Sequence, residues 1–136
     1  MRIAVVGDLL LDLYFDGQEL RPSPEIPGSS IVRSDDLRAN LGGAGLVASI
    51  CAVRHETALF APVGGWPAQP LRSAAERSQV ALVAIPWGGA NPVKLRIAHR
   101  GMYYGRVDVE PAQPVPCDLT AEGAVLVADF CPDVVI

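Results

Sequence analysis

Long apolar runs are absent from this 136-residue chain. No stretch approaches the roughly 20 residues a helix needs to span a bilayer, which argues against a membrane helix. A leader peptide is not expected either, because Asp8 and Asp12 interrupt what would be its apolar region behind Arg2. Basic clusters are missing as well. Eleven Lys and Arg stand against fifteen Asp and Glu, a net charge of −4, which argues against a nucleic-acid partner. Cysteine and histidine are scarce and scattered. Cys51, Cys117 and Cys131 are odd in number and lack a short metal-type spacing, and His55 and His99 lie apart from them. Reduced thiols in a cytoplasmic protein, with no metal site, are the expectation. There is no internal repeat and no low-complexity tail.

Half of the residues are apolar and the mean hydropathy is +0.28, high for a short chain without a membrane helix. Buried strands, or a face covered by another chain, would account for it. The length fits one domain with a core.

Arg2 to Val6 is a short β-branched run closed by Gly7-Asp8, which predicts a buried strand of a parallel sheet feeding a loop. Leu13–Gly17 and Ser30–Asp35 read as exposed strands. The intervening Arg21-Pro-Ser-Pro-Glu-Ile-Pro27 cannot be helical. Ala44–Arg54 has helical character, with Leu46, Ile50 and Val53 spaced to form one apolar face. Thr57–Val63 and Val80–Ile85 are expected as further buried strands, with a short helix over Ser73–Gln79. Trp87-Gly-Gly-Ala-Asn-Pro92 is a turn by composition. Val93–Arg100 and Met102–Val109 are expected to pair as a hairpin across Arg100-Gly101. Pro111–Pro116 reads as a linker, and Ala124–Ala128 as a last buried strand ending at Asp129. The sum is an α/β fold with a small β flap inserted.

Three groups of residues could carry chemistry. Asp8 and Asp12 follow the first strand, and ligands of open α/β sheets bind beyond the carboxyl ends of strands. The plain alternative is a turn cap and a solvated carboxylate. Gly42-Gly43-Ala44-Gly45 precedes a helix, where free N–H groups and absent side chains admit a ligand. Leu46 follows, so no carboxylate completes a phosphate loop, and no Lys-Ser/Thr pair does. Lys94 and Arg96 share a strand face, and Arg106 with Asp108 lies on the neighbouring strand. These cations suit a sugar phosphate, or else form a solvated charge ladder.

The motifs also occur in a telling order: Gly7-Asp-x-x-x-Asp12, Arg21-x-Ser-Pro-Glu25, Leu41-Gly-Gly-Ala-Gly45, Val93-Lys-Leu-Arg96, Arg106-Val-Asp108 and Leu126-Val-Ala-Asp129. This set resembles the N-terminal half of the ribokinase (PfkB) family of carbohydrate kinases. Within that family it is most similar to the heptose-7-phosphate kinase domain of ADP-heptose biosynthesis. The resemblance implies a partial ribokinase-like three-layer fold over 1–136, with a parallel sheet, helices and a β-strand lid or clasp over about 13–35 and 93–109. It implies that Asp12 binds sugar hydroxyls and that Gly42 and Gly43 lie beside the sugar at the hinge of body and lid. Lys94, Arg96 and Arg106 fall where heptose-type kinases place basic lid residues.

Two departures stand out. Leu46 occupies the position of a sugar-binding Asn, and Asp129-Phe-Cys-Pro-Asp133 replaces an Asp-Tyr and Lys-Gly segment expected after the last strand. The family's Gly-Ala-Gly-Asp motif, which supplies the general base and an anion hole, is not in the sequence. Loss of anion-hole donors costs about 10²–10³ in rate and loss of a base about 10²–10⁴. The expectation is therefore a sugar-binding half without catalytic residues of its own, inactive alone. It would act as a non-catalytic sugar-phosphate-binding or dimerisation module. The alternative is one subunit of a split ATP-dependent carbohydrate kinase. No cofactor is expected in this chain alone; ATP and Mg would enter only with a completing half. The expected partners are a second copy through the lid strands, or that complementary half.

Overall fold

A computed structural model describes residues 1–34, 36–111 and 122–136. Among them the chain runs β1 (Arg2–Val6), β2 (Leu9–Gly17), β3 (Glu19–Pro22), β4 (Ser30–Arg33), β5 (Leu37–Gly43), α1 (Ala44–Ala52), β6 (Glu56–Val63), α2 (Ala68–Arg77), β7 (Ala81–Pro86), β8 (Val93–His99), β9 (Met102–Val109), α3 (Glu122–Phe130) and β10 (Val134–Val135). Three sheets result, ordered β10-β1-β6-β7, β5-β2-β8-β9 and β3-β4. The first is wholly parallel. The second is mixed, since β2 pairs parallel with β8 but antiparallel with β5. The expected α/β fold with an inserted β flap is what forms.

Strand alternation sorts the parallel sheet into two faces. Ile3, Val5, Leu59, Ala61 and Val63 enter one cluster with Ala48 of α1 and Leu71, Ala74 and Ala75 of α2. Ala4, Ala58 and Phe60 turn the other way, where Val127 and Phe130 of α3 cover them. Phe130 meets Phe60 edge-on at 6.0 Å, and the Arg2 guanidinium lies 4.3 Å from its ring centre. The mixed sheet contributes Leu9, Leu11, Leu41 and Val93 to the first cluster. One core therefore binds both sheets together.

The joint between them is polar. Asn91 is buried, and its Nδ2 donates to the carbonyls of Leu9, at 2.9 Å, and Pro62, at 2.8 Å. Its Oδ1 accepts from the Gly64 N–H at 2.9 Å. Leu9 opens β2 in the mixed sheet, whereas Pro62 and Gly64 end and follow β6 in the parallel one. The Leu11 N–H adds a bond to the Pro92 carbonyl at 2.9 Å. One amide thus bonds three backbone groups drawn from the two sheets.

Several expectations change. The strand after Gly7-Asp8 begins at Leu9, so Asp12 lies mid-strand rather than in a loop. Leu37–Gly43 is a strand that alternation did not reveal. Helix α2 starts at Ala68, five residues before the expected Ser73, and Pro70 is tolerated in its first turn. Ala124–Ala128 is helical, within α3, and the strand follows it as β10. A short apolar run fits either state by pattern, and packing on Phe60 selects the helix. Segment 129–133 therefore precedes a strand, and its comparison with a segment that follows one does not hold. The apolar stripe of α1 also faces outward: Leu46, Ile50 and Val53 are 53%, 65% and 78% exposed. Gly45 and Ala48 are the buried positions instead, because the helix lies too close for larger residues. A Cβ on Gly45 would approach that of Leu41 to 2.6 Å.

The hairpin forms as expected. Arg100 and Gly101 take φ of 49° and 78°, the left-handed pair of a tight two-residue turn. The expected strand end at Asp35, the linker beyond Pro111 and Cys117 lie outside the described residues. No helix among the described residues is long and apolar enough to cross a membrane.

Replacing Asn91 with Ala strands the Leu9 and Pro62 carbonyls and the Gly64 N–H. The expected loss is about 2–4 kcal/mol of unfolding free energy, read from the shift of a urea denaturation midpoint.

Candidate functional site

The mixed sheet has two unlike faces. Register places Leu11, Leu13 and Phe15 of β2 beside Leu41, Ala39 and Leu37 of β5 and beside Val93, Leu95 and Ile97 of β8. This is the apolar face, and its lower part packs on α2. The alternate residues form a polar face in two transverse rows.

The first row reads Asn40, Asp12, Lys94, Asp108 across β5, β2, β8 and β9. The second reads Arg38, Tyr14, Arg96, Arg106 across the same strands. Neighbouring strands are about 4.8 Å apart, and two residues along a strand advance about 7 Å. Five of the six residues expected to bind substrate (Asp12, Gly42, Lys94, Arg96 and Arg106) lie on this polar face. Gly43 ends β5 beside them.

Arg96 and Arg106 are direct cross-strand neighbours, an unfavourable pairing of like charges unless each has a counter-ion. Each has one. Arg96 Nη1 donates to Asp12 Oδ1, and Arg106 Nε pairs with Asp108 Oδ1 at 2.8 Å. Lys94 lies half-buried between the two carboxylates in sequence register and makes no ion pair with a described residue. Arg38 Nε pairs with Asp36 Oδ2 at 2.8 Å, and that carboxylate raises the Arg38 pKa further above its ordinary value, first by hydrogen bonding and then by charge.

The glycines belong to the same floor. Gly42 is buried opposite Leu10, and a Cβ there would lie 2.7 Å from Asp12 Oδ2. Its lack of a side chain leaves room for the carboxylate. Gly43 has φ of 61° and caps α1, and a Cβ on it would come within 2.6 Å of the Asp8 carbonyl. That carbonyl accepts the Ala44 N–H at 2.9 Å. Asp8 thus fixes the helix start through its backbone, while its exposed carboxylate makes no bond to a described residue. The glycine pair sits where the mixed sheet hands over to the helix of the parallel one.

Asn40, Tyr14 and Arg38 escaped the sequence reading. Recognising Leu37–Gly43 as a strand paired with β2 would have found them, since alternate residues then fall in line with Asp12. Leu46, expected beside the glycines, is exposed on α1. Among the described residues no three His, Cys, Asp or Glu side chains converge on a metal position.

Chemically, the face offers a carboxylate and an amide for hydroxyl groups and a line of guanidinium groups for an anion. Each arginine spends one nitrogen on its carboxylate in these pairs, and a guanidinium carries five N–H donors.

No family model matches the chain. In sequence it is 32% identical over 142 residues to the bifunctional protein HldE of Aliivibrio salmonicida, covering 94% of this chain and 29% of that protein. To the bifunctional protein HldE of Halorhodospira halophila it is 34% identical over 123 residues, covering 84% of this chain and 24% of that protein. The chain thus spans about a quarter of the length of these curated relatives. Among solved structures, a carbohydrate kinase from Agrobacterium tumefaciens superposes with a TM-score of 0.65 at 20% identity, over 98% of this chain and 44% of that one. A ribokinase from Thermotoga maritima gives a TM-score of 0.56 at 11% identity, over 98% of this chain and 43% of that one. These likenesses in structure establish the fold.

Replacing Gly43 with Ala forces a Cβ into a left-handed backbone and against the Asp8 carbonyl. It should cost about 1–3 kcal/mol in chemical denaturation, with little effect expected from Gly88→Ala, where a Cβ meets nothing within 4 Å and the backbone is not left-handed.

Proposed function

From a chain that has the ribokinase (PfkB) carbohydrate-kinase fold and is homologous to part of the HldE proteins, we propose that the polar face of the mixed sheet is the acceptor side of a sugar-kinase site. It binds a phosphorylated sugar of the heptose 7-phosphate class. The observation that carries this reading is the Asp12–Arg96 pair lying beside the side-chain-free Gly42.

Asp12 accepts hydrogen bonds from sugar hydroxyls, and its pairing with Arg96 holds it in place. Arg96, Arg106 and Lys94 attract the phosphate, and charge-assisted bonds to it are the strong ones. Gly42 leaves room for Leu10 and the Asp12 carboxylate, and Gly43 lets the chain pass the Asp8 carbonyl, so the glycine pair sets the position of the sugar-binding carboxylate at the joint of the two sheets. Positioning and electrostatics carry most of phosphoryl transfer. This segment contributes the positioning of the acceptor. Its 136 residues contain no Gly-Ala-Gly-Asp stretch, so no base or anion hole of that kind is assigned to it, and no step is routed through ATP or Mg. By itself the segment is a binding module in the cytoplasm.

A second reading, one part of a kinase completed by another chain, is favoured by a specific feature. Leu46, Ile50 and Val53 form an exposed apolar stripe on α1, which suits a covering element. Pairing of two copies would instead use the apolar face of the mixed sheet, where Tyr104, Val107 and Val109 are exposed.

Titration calorimetry with heptose 7-phosphate and the unphosphorylated heptose tests the binding reading. The phosphorylated sugar should bind more tightly, and Arg96→Ala should weaken it by about 10-fold or more. Equal binding of both sugars would overturn the assignment. With ATP and the sugar phosphate, the segment alone should release no ADP; release on adding a complementary chain would decide for the second reading.

A further inference from the structure

Helix α2 reaches the mixed sheet in two ways. Its buried side, Leu71, Ala74 and Ala75, shares the core with Leu41 of β5. Its last residue, Arg77, is exposed, yet its Nη2 donates to the Ala39 carbonyl of β5 at 2.6 Å, across 38 positions of sequence. This is the one polar contact of the Arg77 side chain with a described residue. We propose that Arg77 is a positioning residue, a stay that fixes the tilt of the outer mixed sheet, and with it Asn40 and Asp12, over the parallel sheet and its helices. The proposal rests on the acceptor reading above and names a residue that governs that face without touching its ligand.

The strand ladder explains why the Ala39 carbonyl is available. The Ala44 N–H bonds the Asp8 carbonyl at 2.9 Å, which sets the phase of the antiparallel β2–β5 pair. Ladder bonds then fall on Leu10/Gly42, Asp12/Asn40 and Tyr14/Arg38, while Ala39 stands opposite Leu13 without them. Strand β5 is an edge of its sheet, so Ala39 turns its N–H and C=O outward. Arg77 takes that carbonyl between the two bonded pairs that carry Asp12 and Tyr14. Helix α2 packs on the apolar face of the sheet, so the stay leaves the polar face clear.

The contact lies where apolar cover gives out. Leu41 is 2% exposed, Ala39 is partly buried and Leu37 is 56% exposed. At the inner end of the sheet the other polar tie, Asn91, is buried and bonded three times. Asn91 is thus the pivot and the single exposed bond of Arg77 the part that sets the angle about it. The carboxyl end of α2 also favours a cation at this position. An exposed contact of this kind biases an equilibrium by up to about 5-fold. Its loss therefore changes the orientation of the outer sheet rather than its folding.

The test uses the full chain and three variants. Arg77→Met keeps the aliphatic stem and removes the donors, and Arg77→Lys restores one. Arg72→Ala is the control for lost charge, since Arg72 is exposed on the same helix and makes no polar contact with a described residue. Residual dipolar couplings of backbone N–H groups report the relative orientation of the two sheets. In the wild type, Arg77→Lys and Arg72→Ala, one alignment tensor should fit both sheets. In Arg77→Met each sheet should keep its own internal fit while the two tensors diverge. In calorimetry Arg77→Met should weaken heptose 7-phosphate by about 3–5-fold, with Arg77→Lys and Arg72→Ala close to the wild type. A tensor still shared in Arg77→Met overturns the stay. Diverging tensors with unchanged sugar-phosphate affinity, or an equal loss of affinity in Arg72→Ala, overturn its positioning role. If the wild type does not bind the sugar phosphate, the acceptor reading fails, and diverging tensors in Arg77→Met still uphold the stay.

Discussion

The side-chain amide of Asn91 is the contact on which the relation of the two sheets depends. Strands of the parallel sheet end where strands of the mixed sheet begin, and the chain there must turn without a continuous ladder. Backbone groups buried at such a joint need partners from side chains. Asn91 provides two donors and one acceptor to groups on both sheets. Its own polar atoms are all engaged, and no buried side-chain polar atom among the described residues lacks a partner. An aspartate would lose the two donations, and a leucine would lose all three contacts.

The polar face follows from that joint. Leu9 and Leu11 are held in the shared core, so the alternate residues of β2, Asp12 and Tyr14, are committed to the opposite side. The same alternation on β5 and β8 brings Asn40, Arg38, Lys94 and Arg96 to that side. Charges gathered by register rather than by choice of partner would repel, and the carboxylates Asp12, Asp36 and Asp108 offset them one by one. The arrangement holds arginines in place without consuming their donor capacity. A face of this kind can bind an anion at little reorganisation cost, because its dipoles and charges are already oriented.

Much of the architecture was legible in the chain. Arg2–Val6 and Thr57–Val63 read as buried strands because both of their faces are covered, which gives an uninterrupted apolar run. The hairpin was legible at Arg100-Gly101 because one of its two left-handed positions is a glycine. Elements failed where one pattern fits two environments. Val125 and Leu126 look as much like strand as helix, and Leu46, Ile50 and Val53 mark an amphipathic helix without saying which side is buried. On α1 the small residues Gly45 and Ala48 win the buried side, since close approach to Leu41 and the sheet leaves no room for Leu or Ile. Strand β5 was illegible because Arg38, Asn40 and two glycines dilute its apolar residues.

The amino-acid order by itself determined the α/β class, the lack of a long membrane-type run, the hairpin and the identity of the charged and glycine-rich segments, because these depend on local composition and period. Only the tertiary structure decided that Asp12, Gly42, Lys94, Arg96 and Arg106 share one face, that Tyr14 and Arg38 extend it, and that Asn91 locks the joint beneath. Those facts depend on which strands pair and in what register, and register is fixed by burial of Leu9, Leu11, Leu41 and Val93 in a common core rather than by any residue's own preference.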